Sequence, residues 1–168
     1  MLAVIAIPEF DVGAAAWIDA LRRAHDPQYD RVPAHVTLAF PQAVADPDWF
    51  SGHVASIAAT AAPLAVSFDR LERMEDAYHP KYRYLNVLLA DEASAMPLVS
   101  LYRMLGGNDA SYRPHLTLAR FGAIFSAKAL KRQLGGLDAP IHGRIASLTL
   151  LAIESGAIRK CAAYPLSG

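Results

Sequence analysis

The pentapeptide His35-Val36-Thr37-Leu38-Ala39 returns eighty residues later as His115-Leu116-Thr117-Leu118-Ala119. This repeat constrains the chain more than any other feature. Threonine and β-tending apolar residues in this order favour a strand. Side chains alternate across a strand, so His35 and Thr37 fall on one face while Val36 and Leu38 take the other. His115 and Thr117 stand likewise against Leu116 and Leu118. Each segment therefore carries an imidazole and a hydroxyl on one side and an apolar anchor on the other. One His-x-Thr in a strand is commonplace and its histidine is more often structural. Two copies in equivalent elements point to a shared site.

The elements around the repeat support that equivalence. Leu2–Ile7 reads as a buried strand. Asp11 is an N-cap for a helix with Ala14, Trp17, Ile18 and Leu21 on one face, stopped at Asp26-Pro27. After the first motif strand, about 35–40, Asp46-Pro47 pairs an N-cap with proline at the first helical position. Phe50, Val54, Ile57 and Ala61 are the buried stripe of that second helix. A strand follows over 64–71, then a polar crossover over 74–80. Tyr82–Ala90 is the next strand, and Asp91 caps a helix burying Leu98, Val99, Tyr102 and Leu105 before Gly106-Gly107. The second motif strand spans about 115–120. A helix over 126–134 and strands at about 143–153 and 157–164 complete the chain.

Adding eighty carries Asp11 to Asp91, His35 to His115, Thr37 to Thr117 and Leu64 to Arg144. The expectation is a single domain over 1–168 built as a pseudo-twofold duplication. Its repeats run approximately 1–73 and 80–155, with interleaved lobes facing a central cleft. A chain of 168 residues with 54% hydrophobic and 19% charged residues is long and apolar enough for one substantial core. Sixteen basic residues balance sixteen acidic ones, which disfavours extended non-specific nucleic-acid binding. The lone Cys161 excludes an intrachain disulfide and cysteine-based zinc sites. The apolar start Met1–Ile7 lacks a basic lead-in and a cleavage site, and no run is long enough to span a bilayer. The cytoplasm is the expected compartment.

Two histidines on opposite sides of a phosphate form a natural acid–base pair, because imidazole titrates near neutrality. For a 2′,3′-cyclic phosphate, the base activates water and the acid protonates the departing ribose oxygen, in line across phosphorus. A threonine hydroxyl beside each ring can donate to a non-bridging oxygen as charge builds. This chemistry requires no metal and no cofactor. Walker-type loops, G-x-S-x-G elbows and H-E-x-x-H helices are absent from the sequence.

The paired motifs His35-Val36-Thr37-Leu38 and His115-Leu116-Thr117-Leu118 resemble the signature of the two-histidine (2H) phosphoesterase superfamily, and within it the bacterial 2′-5′ RNA ligase-like proteins, also described as RNA 2′,3′-cyclic phosphodiesterases. The resemblance implies a bilobal α+β fold, two antiparallel sheets lining a groove with helices outside, and metal-independent phosphodiester chemistry. It implies catalytic roles for His35 and His115, the former as acid and the latter as base, and phosphate contacts from Thr37 and Thr117. RNA ends or small cyclic nucleotides are the expected substrates, with no membrane and no obligate protein partner. Two alternatives remain: a 2′-5′ ligase or phosphodiesterase for small cyclic nucleotides or ADP-ribose cyclic phosphate, and a non-catalytic nucleotide-binding module.

Four further residues are candidates for substrate binding. Arg120 and Phe40 each lie five residues after their histidine. The resemblance implies phosphate binding for the former and base stacking for the latter. Strict alternation aims both away from the groove, so each strand must end or bulge near Ala39 and Ala119. Otherwise Arg120 is a surface ion pair and Phe40 core packing. Tyr82 and Arg83, within Lys81-Tyr82-Arg83-Tyr84, interleave charge with aromatic rings as a nucleotide patch would. The same letters also suit a protected edge strand. Arg31 and Arg113 flank the motif strands and read as surface residues, while His25, His53, His79 and His142 read as structural or surface.

Overall fold

Three aspartates start the three helices that can be described. Asp11 accepts from the backbone N–H of Ala14, Asp46 from Asp48 and Trp49, and Asp91 from Ser94. These bonds occupy donors that a helix N-terminus leaves unpaired. The computed structural model describes residues 1–76, 82, 84–121 and 139–168. Its elements are β1 (Leu2–Ala6), β2 (Glu9–Phe10), α1 (Val12–His25), β3 (Val36–Gln42), α2 (Pro47–Thr60), β4 (Leu64–Glu75), β5 (Tyr84–Ala90), α3 (Glu92–Met104), β6 (His115–Phe121), β7 (Ile141–Ile145), β8 (Ser147–Glu154) and β9 (Ala157–Pro165).

The strands form two antiparallel sheets, ordered β3-β1-β8-β9 and β2-β7-β4-β5-β6. The motif strands β3 and β6 are edge strands of different sheets. Under the eighty-residue offset β1 overlies β5, β3 overlies β6 and β4 overlies β8. The three matched strands of one sheet are therefore β3-β1-β8 and those of the other β6-β5-β4. Each sheet takes its third strand from the opposite half of the chain. The helices cross over as well: α1 lies against β6, and α3 against β3.

One apolar cluster unites both sheets and all three helices. It includes Val36, Leu38, Leu116 and Leu118 from the motif strands, all fully buried, with Val54 of α2, Phe68 of β4 and Leu98 of α3. Burying such side chains contributes about 1.5–3 kcal/mol each. The apolar face of each motif strand is thus fixed inward, which leaves its imidazole and hydroxyl on the other face.

The structure departs from the sequence-based expectation in several places. The strand expected at about 143–153 is two strands in different sheets, β7 and β8, separated at Ala146. Arg144, the offset counterpart of Leu64, lies in β7 and pairs with Ala65 of β4 itself. The continuous apolar run hid the crossing, whose trace is two partly exposed residues, Ala146 and Ser147, between buried Ile145 and Leu148. Residues 74–75 belong to β4, not to a crossover. In α3 the buried positions are Ser94, Leu98, Leu101 and Tyr102, with Val99 only partly covered. In α1 they are Ile18 and Arg22. The helix expected over 126–134 lies outside the described residues.

Candidate functional site

The ring of His35 donates from Nδ1 to the carbonyl of Pro33 at 2.7 Å, and that of His115 donates from Nδ1 to the carbonyl of Arg113 at 2.7 Å. A carbonyl can only accept, so in the neutral ring the proton sits on Nδ1 and Nε2 keeps its lone pair. The two histidines share one tautomer and one anchor, each reaching back two residues. Both motifs also share a burial pattern: His, Thr and the sixth residue are partly exposed, and the three apolar residues at positions two, four and five are buried.

That pattern has a backbone cause. Ile5 pairs with Thr37 but Val4 pairs with Ala39, and Val87 pairs with Thr117 but Asn86 with Ala119. One extra residue is inserted at Leu38 in β3 and at Leu118 in β6, a β-bulge at the same place in both repeats. The insertion resets the alternation after the threonine. Phe40 therefore returns to the face of His35 and Thr37, and Arg120 to that of His115 and Thr117.

The two edge strands approach each other in space. Tyr112, just before the second motif, donates its hydroxyl to the carbonyl of Thr37 at 2.7 Å. Its ring stacks on Tyr102 at a centroid distance of 3.8 Å and meets Phe40 edge-on at 6.4 Å. The opposite end of the site is ionic. Arg22 donates from Nε and Nη2 to Asp26 at 3.0 and 2.9 Å and from Nη2 to the Val32 carbonyl at 2.8 Å. Arg120 donates from Nη1 to Asp26 at 2.5 Å, and its Nε lies 3.5 Å from Asp76. The offset maps Arg22 on Tyr102, Val32 on Tyr112 and Phe40 on Arg120. The duplicated scaffold thus carries an aromatic cluster at one end and a charged cluster at the other.

Both imidazoles are shifted toward the neutral form. Burial of the ring pushes His35 down to about 4; the bond to Pro33 opposes this, and the charges of Arg22, Arg120 and His115 add to it. Burial is also the main cause for His115, opposed by its bond to the Arg113 carbonyl and assisted by Arg113 and Arg120. Arg120 is thus close enough to bias both rings, and the His115 charge is felt at His35. Burial raises the Tyr112 hydroxyl, with Tyr102 adding to the effect.

Other expected residues fall as follows. Tyr82 is partly buried, whereas Arg83 lies outside the described residues, as do Lys81 and His79. Of that segment Tyr84 opens β5, which runs between β4 and β6 and is not an edge strand. Arg113 pairs with Glu72 at 2.8 Å. Arg31 is exposed on a hollow of about 400 Å³ that also touches Arg22, Tyr29, Pro33 and Ala34, beside the first motif. His53 stacks on Trp49 and hydrogen-bonds the Met104 carbonyl at 2.9 Å, a structural role. Arg22, Asp26, Asp76, Tyr102 and Tyr112, which contact the candidate residues or each other, escaped the sequence reading as members of the candidate site. The offset applied to Arg22 and Phe40 was the available signal. Among the described residues no group of three or more His, Cys, Asp or Glu could hold a metal ion, and no helix among them is long and apolar enough to cross a membrane.

Two sheets that bring duplicated His-x-Thr edge strands together define the 2H phosphoesterase class. The family model of the 2′-5′ RNA ligase superfamily matches residues 10–157, and the chain belongs to that superfamily of enzymes. Its fold is similar to that of E. coli LigT crystallised with 3′-AMP, at 16% identity and a TM-score of 0.61, over 99% of this chain and 98% of that one. It is also similar to the Thermus thermophilus protein TT0787 (16%, TM-score 0.59, 99% and 98% covered) and to Usb1 of Kluyveromyces marxianus (11%, TM-score 0.58, 98% of each). No curated protein matches the chain significantly.

Proposed function

We propose that the chain is a phosphoesterase that opens 2′,3′-cyclic phosphates on RNA ends or small nucleotides, leaving a 2′-phosphate. The observation that carries this reading is the pair of Nδ1-anchored imidazoles, each with a threonine two residues along, on two approaching edge strands. E. coli LigT has been crystallised with 3′-AMP and with ATP, and a nucleotide is the ligand class carried over to this chain. His115 Nε2 takes a proton from water as the water oxygen bonds to phosphorus. The bond from phosphorus to the ribose 3′ oxygen breaks, and His35 delivers a proton from Nε2 to that oxygen. Thr37 and Thr117 donate to the non-bridging oxygens, and Arg120 adds positive charge at phosphorus. Phe40, beside Tyr112, offers a ring face to the base, with Tyr82 and Arg83 as further candidate contacts.

The acid role asks for a proton that the free site does not favour. With its pKa near 4, His35 is protonated in only about one molecule in a thousand at pH 7. An anionic phosphate between the rings raises both values, so the substrate itself assists in loading the acid.

The test is turnover of adenosine 2′,3′-cyclic phosphate with the product resolved by mass spectrometry and chromatography, in the presence and absence of EDTA. Wild type should yield the 2′-monophosphate in both. His35→Ala and His115→Ala should each lose about a hundredfold to ten-thousandfold in kcat. Full activity in either variant defeats the proposal. The description of the matched family favours a second reaction at the same site, with an RNA 5′ hydroxyl replacing water to form a 2′-5′ linkage. Adding 5′-hydroxyl oligonucleotides to the assay separates ligation from hydrolysis.

A further inference from the structure

Arg120 enters the site already committed to two carboxylates. Its side chain is 12% exposed, whereas those of Asp26 and Asp76 are 1% and 2% exposed. Nη1 donates to Asp26 Oδ1 at 2.5 Å, while Nε and Asp76 Oδ2 face each other at 3.5 Å, an ion-pair separation too long for a good hydrogen bond. Nη2 takes part in neither contact. Asp26 is itself fixed: Oδ2 accepts twice from Arg22, and Oδ1 also accepts from the Gln28 backbone at 3.0 Å. It terminates α1, ninety-four residues from Arg120, and Asp76 directly follows β4. Two distant segments therefore converge on the guanidinium carried by β6, and the bulge at Leu118 directs that guanidinium to the histidine face.

A buried guanidinium without partners carries a large desolvation cost, and a freely rotating one loses entropy when it engages phosphate. Two carboxylates on different edges of the fork offset the charge and restrict its rotation, although Nε and Asp76 Oδ2 meet as an ion pair without a hydrogen bond. They still leave donors for a ligand: of the five guanidinium N–H groups one, on Nη1, is spent on Asp26, and Nη2 takes part in neither carboxylate contact.

We propose that Asp26 and Asp76 are positioning residues that fix the plane of Arg120 and turn Nη2, which neither carboxylate contacts, toward a non-bridging oxygen of the substrate phosphate. This rests on the phosphoesterase reading above. Asp76 is the position probed, because Asp26 also holds Arg22 and closes α1. Lysine cannot substitute at position 120, since an ammonium on a flexible stem cannot span two carboxylates and a phosphate at once.

The experiment measures affinity for adenosine 2′-monophosphate by calorimetry alongside kcat/KM on adenosine 2′,3′-cyclic phosphate. It uses wild type, Asp76→Asn, Arg120→Ala, Arg120→Lys and the double variant Asp76→Asn/Arg120→Ala, with thermal melts as a fold control. Arg120→Ala and Arg120→Lys should each weaken nucleotide binding by about ten- to a hundredfold. Asp76→Asn should weaken it by about three- to tenfold in the wild-type background and have no effect once Arg120 is alanine. An effect of Asp76→Asn that persists undiminished without Arg120 overturns the proposal. So does wild-type affinity in Arg120→Lys or in Asp76→Asn. If Asp76→Asn does not fold, Asp76→Glu, which moves the charge by one methylene, is judged by the same coupling. Turnover failing while the binding coupling holds defeats the phosphoesterase reading alone, and a folded wild type that binds no nucleotide defeats both.

Discussion

A histidine whose Nδ1 proton is held by a carbonyl exchanges protons with a substrate only through Nε2. That restriction applies to both His35 and His115 and makes the pH response interpretable. Both rings titrate below their ordinary value of 6.5 in the free protein, His35 at about 4. The profile of kcat/KM reports free-enzyme groups, so its bell should be centred below about pH 6.5. The kcat profile should move to higher pH, because bound phosphate favours imidazolium. A kcat/KM optimum above pH 7.5 would contradict this. Stability should follow the same groups. The unfolded chain binds the His35 proton from about pH 6.5 and the folded one only near 4, so stability falls as pH drops through that window, by up to about 3 kcal/mol for this residue. Denaturant titrations at pH 7 and pH 4.5 compare the two, and His35→Asn should flatten the difference. At this scale the sequence put forward the histidines and threonines as candidates, because a repeated pentapeptide is a local signal. Asp26, Asp76 and Arg22 were hidden because their role arises from contacts between segments ten to ninety-four residues apart.

The elements place these groups through edge position and bulges. A β-strand without its bulge would turn Phe40 and Arg120 into the core side of the sheet; with it, both join the face of the histidines and threonines. The need for such a bulge could be stated from alternation alone, whereas its occurrence depends on pairing with β1 and β5. Tyr112 is the visible tie between the two motif strands. Tyr112→Phe removes the hydroxyl bond to the Thr37 carbonyl and leaves the ring on Tyr102 in place. The expected cost is about 0.5–1.5 kcal/mol, a fall in Tm of roughly 1–6 °C for a chain of this size. kcat should drop further than KM rises, since the spacing of the two imidazoles would be altered more than substrate contacts. Unchanged kcat with lowered Tm would reduce Tyr112 to a purely structural part. The same aromatic tie explains Gly107: a Cβ there would overlap the Tyr102 ring, forcing the stack to move.

At the scale of the whole molecule, duplication and interleaving have a thermodynamic consequence. Because β4 completes the sheet of β5 and β6, and β8 that of β3 and β1, neither half of the sequence contains a complete sheet. The helices α1 and α3 lie on the opposite half's motif strand, and one apolar cluster joins both sheets. The offset of eighty residues announced two similar halves. It could not announce the exchange of strands, because hydrophobic alternation tells which face of a strand is buried but not which sheet receives it. Such a chain should unfold in one step. Calorimetry is expected to give a single transition with equal calorimetric and van't Hoff enthalpies. Phe68→Ala, in the exchanged strand β4 and fully buried, should destabilise by about 3–5 kcal/mol. It should do so equally for amide signals in β1 and in β5 followed by NMR. Two resolved transitions, or a loss confined to the sheet of β5, would mean that the halves are independent. The approach of the two motif strands would then owe its geometry to docking between two bodies. A single transition instead ties the separation of His35 and His115 to global stability, so the site is present whenever the chain is folded.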